Sequence, residues 1–174
     1  SGVKNPNGPA DPIIVHPDVR RMLLTQKSFA EGGRALASDL AQLVDTVHAS
    51  KNDNHKALAE AKLALLTPIA KAFLTETGLE STSHGIQVFG GHGFIKEWGM
   101  EQLMRDTKIS CLYEGTTGIQ ALDLLGRKIL GSQGELLKGF AAEVVSFCQN
   151  NAGTPSLTSH CQTLASYLKE WQSS

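Results

Sequence analysis

The sequence predicts an all-α protein, an antiparallel helical bundle with extra helices at its C-terminal end. Apolar residues recur three and four positions apart through most of the chain, which is the spacing of a helix face. No segment alternates apolar and polar residues as a half-buried strand does. Hydrophobic residues make up 41% and charged residues 19% of the 174 positions, so an ordinary buried core can form.

Residues 1–15 are predicted to be a linker or a remnant of cloning, because three of the six prolines fall there. A first long helix is predicted over 17–49, since Pro17 suits a first helical position. Gly32 and Gly33 cost helix propensity, about 1 kcal/mol each against Ala, which is tolerable where another backbone comes close. The apolar face of this helix consists of Val19, Met22, Leu23, Phe29, Leu36, Leu40, Leu43, Val44 and Val47.

A second long helix is predicted over 54–84, after a turn at 50–54 that contains good N-cap residues. Pro68 lies inside this helix and should kink it. The short turn makes the two long helices antiparallel neighbours. Glycines interrupt the pattern over 85–99, and a shorter helix is predicted at about 98–109.

A further helix is predicted over 116–131, and two weaker ones at about 135–150 and 156–172. Residues 16–131 are expected to form one helical domain. Residues 132–174 are expected to form a helical C-terminal extension.

Charge and cysteine usage argue against several classes of protein. The formal net charge of −1 leaves no basic excess for a nucleic acid. The three cysteines are too few for a disulfide framework, and no Cys-x-x-Cys, Glu-x-x-His or His-x-x-x-His pair indicates a metal site. No run is long enough to span a membrane, and no apolar signal peptide begins the chain. The cysteines are expected to be reduced thiols in a cytosolic or matrix compartment. Because the chain lacks an initiator Met and begins with Ser-Gly, we expect an excised fragment.

Two segments could carry chemistry. The glycine-rich segment 90–94 is either a tight turn or a loop whose bare backbone approaches a phosphate or a flat ring. Glu114 precedes a helical run, so it is either a helix cap held ionised by the helix dipole or a general base beside a ligand. These residues by themselves leave both alternatives open.

Three motifs follow one another in the middle of the chain. They are Gln-Val-Phe-Gly-Gly-His-Gly-Phe at 87–94, Glu-Gln-Leu-Met-Arg-Asp at 101–106 and Tyr-Glu-Gly-Thr-Thr-Gly-Ile-Gln at 113–120. In this order they closely resemble the C-terminal region of acyl-CoA dehydrogenases, and the resemblance is strongest over 57–131. The segment 14–22 is similar to a long-form bacterial branch of that family, which includes enzymes acting on methylthiopropanoyl-CoA.

The resemblance implies roles for individual residues. Glu114 matches the catalytic base that removes the α-proton of an acyl-CoA thioester, while the β-hydrogen leaves as hydride to FAD. Gly115 would line the substrate beside this base. The residues implied to contact FAD are Gln87, Gly90, Gly91 and Thr116. The first three match a loop that touches the FAD of a neighbouring subunit, and Thr116 matches a residue near the phosphate–ribose–adenine side of the flavin.

The resemblance also implies partners. They are an acyl-CoA substrate, electron-transfer flavoprotein or a similar electron acceptor, and further copies of the chain in a homo-oligomer. Because the family's other domains supply most contacts to FAD, this chain by itself is expected to be inactive and not to retain FAD. The alternative is a non-catalytic helical interaction or oligomerisation domain that keeps the same motifs for packing.

Overall fold

The computed structural model describes residues 6–173, and it contains helices and turns with no β-strand within that range. The α-helices are α1 (Pro17–Ala49), α2 (Asp53–Phe89), α3 (Met100–Ser110), α4 (Thr117–Leu122), α5 (Glu135–Asn151) and α6 (Thr158–Ser173). Short 3-10 helices occur at Ile13–Val15, Gly90–Phe94 and Lys96–Trp98. The predicted all-α class is confirmed, and the part of the predicted linker at 1–5 lies outside the described residues.

The second long helix is longer than the sequence predicts. Asn52 caps α2, because its Oδ1 accepts a hydrogen bond from the backbone N–H of His55 at 3.1 Å. The helix then continues through Pro68 and ends at Phe89, five residues beyond the predicted end at 84. Gly85 does not end the helix. The absence of a side chain there instead leaves space for the Met100 side chain, which packs against α2. A Cβ at Gly85 would lie 2.2 Å from the Met100 Cε atom.

The helix predicted over 116–131 changes its hydrogen-bond pattern partway. Asp123–Leu130 continues α4 as a π-helical stretch. The backbone N–H of Gly131 donates to Gly126 O at 3.0 Å, five residues earlier in the chain. Apolar spacing of three and four residues does not distinguish this bonding from an α-helix, so the sequence did not predict it.

The chain divides into two compact units. The first unit comprises the described residues up to Gln42 together with Pro68–Ala121. Within it, the rings of Phe29 and Phe73 meet edge to face at 6.2 Å between centroids. Gly33 is buried against Leu74, and a Cβ at Gly33 would lie 2.9 Å from the Leu74 Cδ2 atom. The close approach that the glycine pair predicts is therefore made by a side chain rather than by a backbone.

The other unit comprises Leu43–Thr67 and the chain from Leu122 onward. Its helices α5 and α6 pack together, with the rings of Phe140 and Trp171 edge to face at 6.2 Å. Lys62 on α2 pairs with Glu143 on α5 at 2.7 Å. The predicted division into 16–131 and 132–174 concerns domains of the sequence rather than these packing units, and it stays a prediction.

Candidate functional site

Glu114 lies in a turn between α3 and α4 whose backbone is unusual. Its φ is +58°, and the φ of Gly115 is +91°, so two successive residues occupy the left-handed region. Glycine adopts this conformation freely, but a residue with a side chain does so at a cost in free energy. The surroundings must therefore hold Glu114 in place.

Three side chains hold the turn. The Gln120 side-chain amide donates to the carbonyl oxygens of Glu114 at 3.1 Å and Gly115 at 3.4 Å. The Lys71 ammonium on α2 donates to the same Gly115 carbonyl at 2.6 Å and to Ser110 O at 3.0 Å. At the start of the turn, the buried Cys111 thiol donates to Thr75 O on α2 at 3.4 Å.

The carboxylate of Glu114 is exposed to solvent and has no hydrogen-bond or ion-pair partner among residues 6–173. The following helix begins at Thr117, and its first backbone hydrogen bond runs from Gln120 N to Thr116 O at 2.9 Å. Glu114 therefore lies outside the capping position, and its side chain accepts no hydrogen bond from α4. Of the two interpretations left open by the sequence, the structure gives no support to the helix cap.

Gly115 and Thr116 complete this turn. The φ of +91° at Gly115 favours glycine, and a Cβ there would lie 2.8 Å from Gln120 Nε2 and displace the amide that holds the turn. Thr116 is exposed beside it. The turn is also tied to α2 by Thr117, whose hydroxyl donates to Glu76 Oε1 at 2.5 Å. The three predicted site residues at 114–116 thus occupy one short segment.

The other predicted site residues lie at the end of α2. Gln87 is exposed in its last turn, and Gly90 has a φ of +61°. A Cβ at Gly90 or at Gly91 would meet no atom within 4 Å, so both backbones border open space. Gly93 differs, because a Cβ there would lie 2.5 Å from Ile86 O, which makes it the residue that lets the chain fold back on α2.

The two groups of predicted site residues are not brought together within this chain. The Glu114 turn contacts α2 at Lys71 and Glu76, whereas Gln87 lies 16 and 11 residues further along the same helix. At about 1.5 Å per residue, this separation is about 17–24 Å along the helix axis. The two groups therefore lie at separate positions along α2.

Sequence reasoning missed Lys71 and Gln120 as parts of this site. Lys71 is 43 positions before Glu114, and no local pattern links the two. Within the described part of the chain, no three His, Cys, Asp or Glu side chains are grouped to hold a metal ion, and no helix is long and apolar enough to cross a membrane.

Comparisons with known proteins point to one family. The family model of the acyl-CoA dehydrogenase C-terminal domain matches residues 3–130. The 3-methylmercaptopropionyl-CoA dehydrogenase of Ruegeria pomeroyi is 45% identical over 79% of this chain and 23% of its own length. A butyryl-CoA dehydrogenase of Syntrophomonas wolfei is 38% identical over 84% of this chain and 24% of its own length.

Other matches agree with these. The broad-specificity linear acyl-CoA dehydrogenase FadE5 of Mycobacterium tuberculosis is 38% identical over 92% of this chain and 26% of its own length. The chain thus spans about a quarter of the length of these curated relatives. The solved structure described as "Bd2924 apo-form" superposes with a TM-score of 0.70 at 22% identity, covering 93% of this chain and 33% of that one. At that identity the likeness shows the fold alone.

Proposed function

The chain belongs to the acyl-CoA dehydrogenase family, and we propose that it serves as the C-terminal domain of a longer enzyme that dehydrogenates an acyl-CoA thioester between its α and β carbons. Glu114 is the proposed catalytic base for the α-proton. The observation that carries the proposal is the unpartnered carboxylate of Glu114, which projects from a turn that its neighbours lock in an unfavourable backbone conformation.

The chemistry needs a carboxylate of this kind. The α-proton of a thioester is weakly acidic, so the base must not spend its lone pairs on hydrogen bonds within the protein. Glu114 meets that requirement among the described residues. Its exposure here would end when substrate and the remainder of the enzyme cover the turn. Loss of water would then raise the proton affinity of the carboxylate, because desolvation disfavours the charged form.

Gly115 fits a role beside the substrate. Having no side chain, it leaves room for the Gln120 amide to reach the carbonyls of Glu114 and Gly115. The carbonyl of Gly115 is already occupied by Lys71 and Gln120, so its position is fixed before a ligand arrives. Preorganised groups of this type spend little free energy on ordering during the reaction.

The residues proposed to contact FAD fit such a ligand. Gly90 and Gly91 present bare backbone to open space, as close approach of a flat ring or a phosphate requires. The exposed carboxamide of Gln87 can donate and accept, and the exposed hydroxyl of Thr116 can do the same. When bound, FAD would supply the oxidant for the Cα–Cβ bond. We assign the first three residues to the flavin of a neighbouring subunit and Thr116 to the phosphate–ribose–adenine side of the flavin.

The remaining parts of the proposal follow from family membership. The substrate class is an acyl-CoA, the electron acceptor is electron-transfer flavoprotein or a similar protein, and the enzyme works as a homo-oligomer in the bacterial cytoplasm or, in a eukaryote, in the mitochondrial matrix. The names of the relatives cover 3-methylmercaptopropionyl, butyryl and broad-specificity linear substrates. We therefore propose the thioester class without a particular acyl group. The isolated chain is proposed to be inactive.

A second candidate is a non-catalytic interaction domain. Large apolar side chains on the first unit are exposed, with Phe94 at 81% and Ile109 at 56% of full exposure. Such side chains favour packing against another protein surface. This candidate predicts that Glu114 is dispensable for catalysis.

The variant Glu114→Gln, made in the full-length, FAD-loaded protein, distinguishes the dehydrogenase from the interaction domain. Gln keeps the size of Glu but accepts no proton, so turnover of an acyl-CoA should fall by at least about 10²–10⁴-fold with flavin content unchanged. Glu60→Gln is the matched control, since Glu60 is exposed on α2 and outside the turn. Normal turnover by the Glu114 variant would contradict the proposed function and favour the interaction domain.

A further inference from the structure

Lys71 reaches from α2 to both ends of the segment that carries Glu114. Its ammonium donates to the carbonyl of Ser110, the last residue of α3, and to the carbonyl of Gly115, the residue after Glu114. These contacts measure 3.0 and 2.6 Å. One half-buried side chain therefore fixes the start and the end of residues 110–115.

The chemistry of this contact suits a positive charge. Carbonyls at the C-terminal end of a helix lack intrahelical donors and carry partial negative charge, so a cation there is favourable. Among the described residues the Lys71 ammonium pairs with no carboxylate. Its hydrogen bonds are thus directed entirely to the backbone that frames Glu114. Lysine rather than a neutral residue allows strong, charge-assisted bonds to both carbonyls.

The backbone of Glu114 needs this support. A φ of +58° is unfavourable for a residue with a Cβ, and a turn free to relax would rotate its side chain away. Gln120 contributes hydrogen bonds from the α4 side, while Lys71 contributes them from the α2 side. Cys111 and Thr117 each tie one end of this segment to α2, whereas Lys71 contacts both ends.

We infer that Lys71 is a positioning residue for Glu114, which holds the carboxylate where an α-proton can reach it. The inference rests on the proposed function, because it takes Glu114 to be the base. A displaced base slows proton removal without changing how the substrate is held. Loss of Lys71 should therefore lower kcat rather than raise KM.

The test is Lys71→Met in the full-length, FAD-loaded enzyme, with butyryl-CoA or 3-methylmercaptopropionyl-CoA as substrate, whichever the unmodified enzyme turns over. We expect kcat per bound flavin to fall about 100-fold, the size of effect that a misplacement of about 1 Å can cause. KM and flavin content should stay unchanged. The α-deuterium isotope effect on kcat should increase, since proton removal becomes slower than the other steps.

Two further variants sharpen the test. Lys71→Arg should restore part of kcat, because a guanidinium can also donate to two acceptors. Lys56→Met is the matched control, since Lys56 is an exposed lysine on the same helix and should leave kcat unchanged. If Lys71→Met does not fold, Lys71→Gln, which keeps a shorter donor, is measured in the same way.

The outcomes distinguish the inference from the proposed function. Unchanged kcat per bound flavin, or a lower melting temperature with normal kcat and isotope effect, would overturn the positioning role. If Glu114→Gln is inactive while Lys71→Met is normal, only this inference fails. If Glu114→Gln is active, the proposed function fails and the inference with it.

Discussion

The side-chain amide of Gln120 donates a hydrogen bond to the carbonyl oxygen of Glu114 at 3.1 Å, so the first turn of α4 fixes the backbone of the turn that precedes it. The bond links residues six positions apart, and it spans a turn in which Glu114 and Gly115 both have a positive φ. The bond helps to keep the Glu114 backbone in its unfavourable conformation, while the Glu114 carboxylate itself makes no hydrogen bond within the described residues. Conformational strain is thus accepted at the residue we propose as the base.

The first prediction is that Glu114→Gly stabilises the isolated chain. Glycine adopts a φ of +58° without the steric cost, so the free energy of unfolding should rise by about 1 kcal/mol. Thermal or urea unfolding measures this. Gln133→Gly is the matched control, since Gln133 also has a positive φ, +54°, and no proposed role in catalysis. Destabilisation of the Glu114 variant alone would mean that its side chain, rather than its backbone, matters to the fold.

The second prediction concerns two glycines two positions apart. Gly93→Ala would place a Cβ 2.5 Å from Ile86 O, a backbone atom that cannot swing aside. We expect a loss of about 1–3 kcal/mol in the free energy of unfolding, as for other overpacked sites. Gly91→Ala should change stability by less than about 0.5 kcal/mol, because its Cβ would point into open space. Equal effects of the two variants in urea unfolding would show that the backbone at Gly93 can move away from Ile86 O.

The third prediction concerns the thiol of Cys148, which lies 3.6 Å from Cys161 O across the α5–α6 pair. Burial, together with the adjacent Cys161 thiol, raises the pKa of Cys148 above its usual range. Because the thiolate is the reactive form, alkylation by iodoacetamide at pH 8 should be slower than for a free cysteine and should accelerate as pH rises.

Cys161→Ala supplies the control for this thiol. It removes one cause of the raised pKa, so Cys148 should become more reactive at pH 8. Mass spectrometry of the modified peptides gives both rates. An alkylation rate for Cys148 that matches free cysteine at every pH would contradict the raised pKa.

The fourth prediction is that the isolated chain self-associates, with a symmetric dimer as the expected product. A groove of about 990 Å³ on the first unit is lined by Leu79, Ile86, Phe94, Lys96, Glu101, Met104, Arg105, Lys108, Ile109 and Leu112. Phe94 is 81% exposed and Leu112 55% exposed, so apolar surface here remains uncovered in a monomer. Sedimentation velocity across a concentration series should show the dimer.

A charge placed in this groove should weaken the association. Ile109→Lys introduces a cation beside an apolar surface that would have to be desolvated on pairing. Leu24→Lys is a suitable control, since Leu24 is 64% exposed but lies outside the groove. A strict monomer at high concentration would contradict the prediction, and an equal effect of the two variants would place the interface elsewhere.

The sequence by itself determined the helices and the family. The apolar spacing that starts at Pro17 places the first long helix over its observed range, because a helix face repeats locally along the chain. The three motifs at 87–94, 101–106 and 113–120 likewise lie together in the sequence, and they pointed to the family that the comparisons show. Both signals depend on residues near each other along the chain.

Only the tertiary structure decided how the proposed base is held and where helices end. Lys71 contacts Gly115 from 44 positions away, and the Met100 side chain fills the space left at Gly85, because each contact depends on how separate segments pack in space. The left-handed backbone conformation of Glu114 also depends on tertiary contacts. Local preference disfavours that conformation in a residue with a side chain, so it persists only because hydrogen bonds from two other elements outweigh the strain.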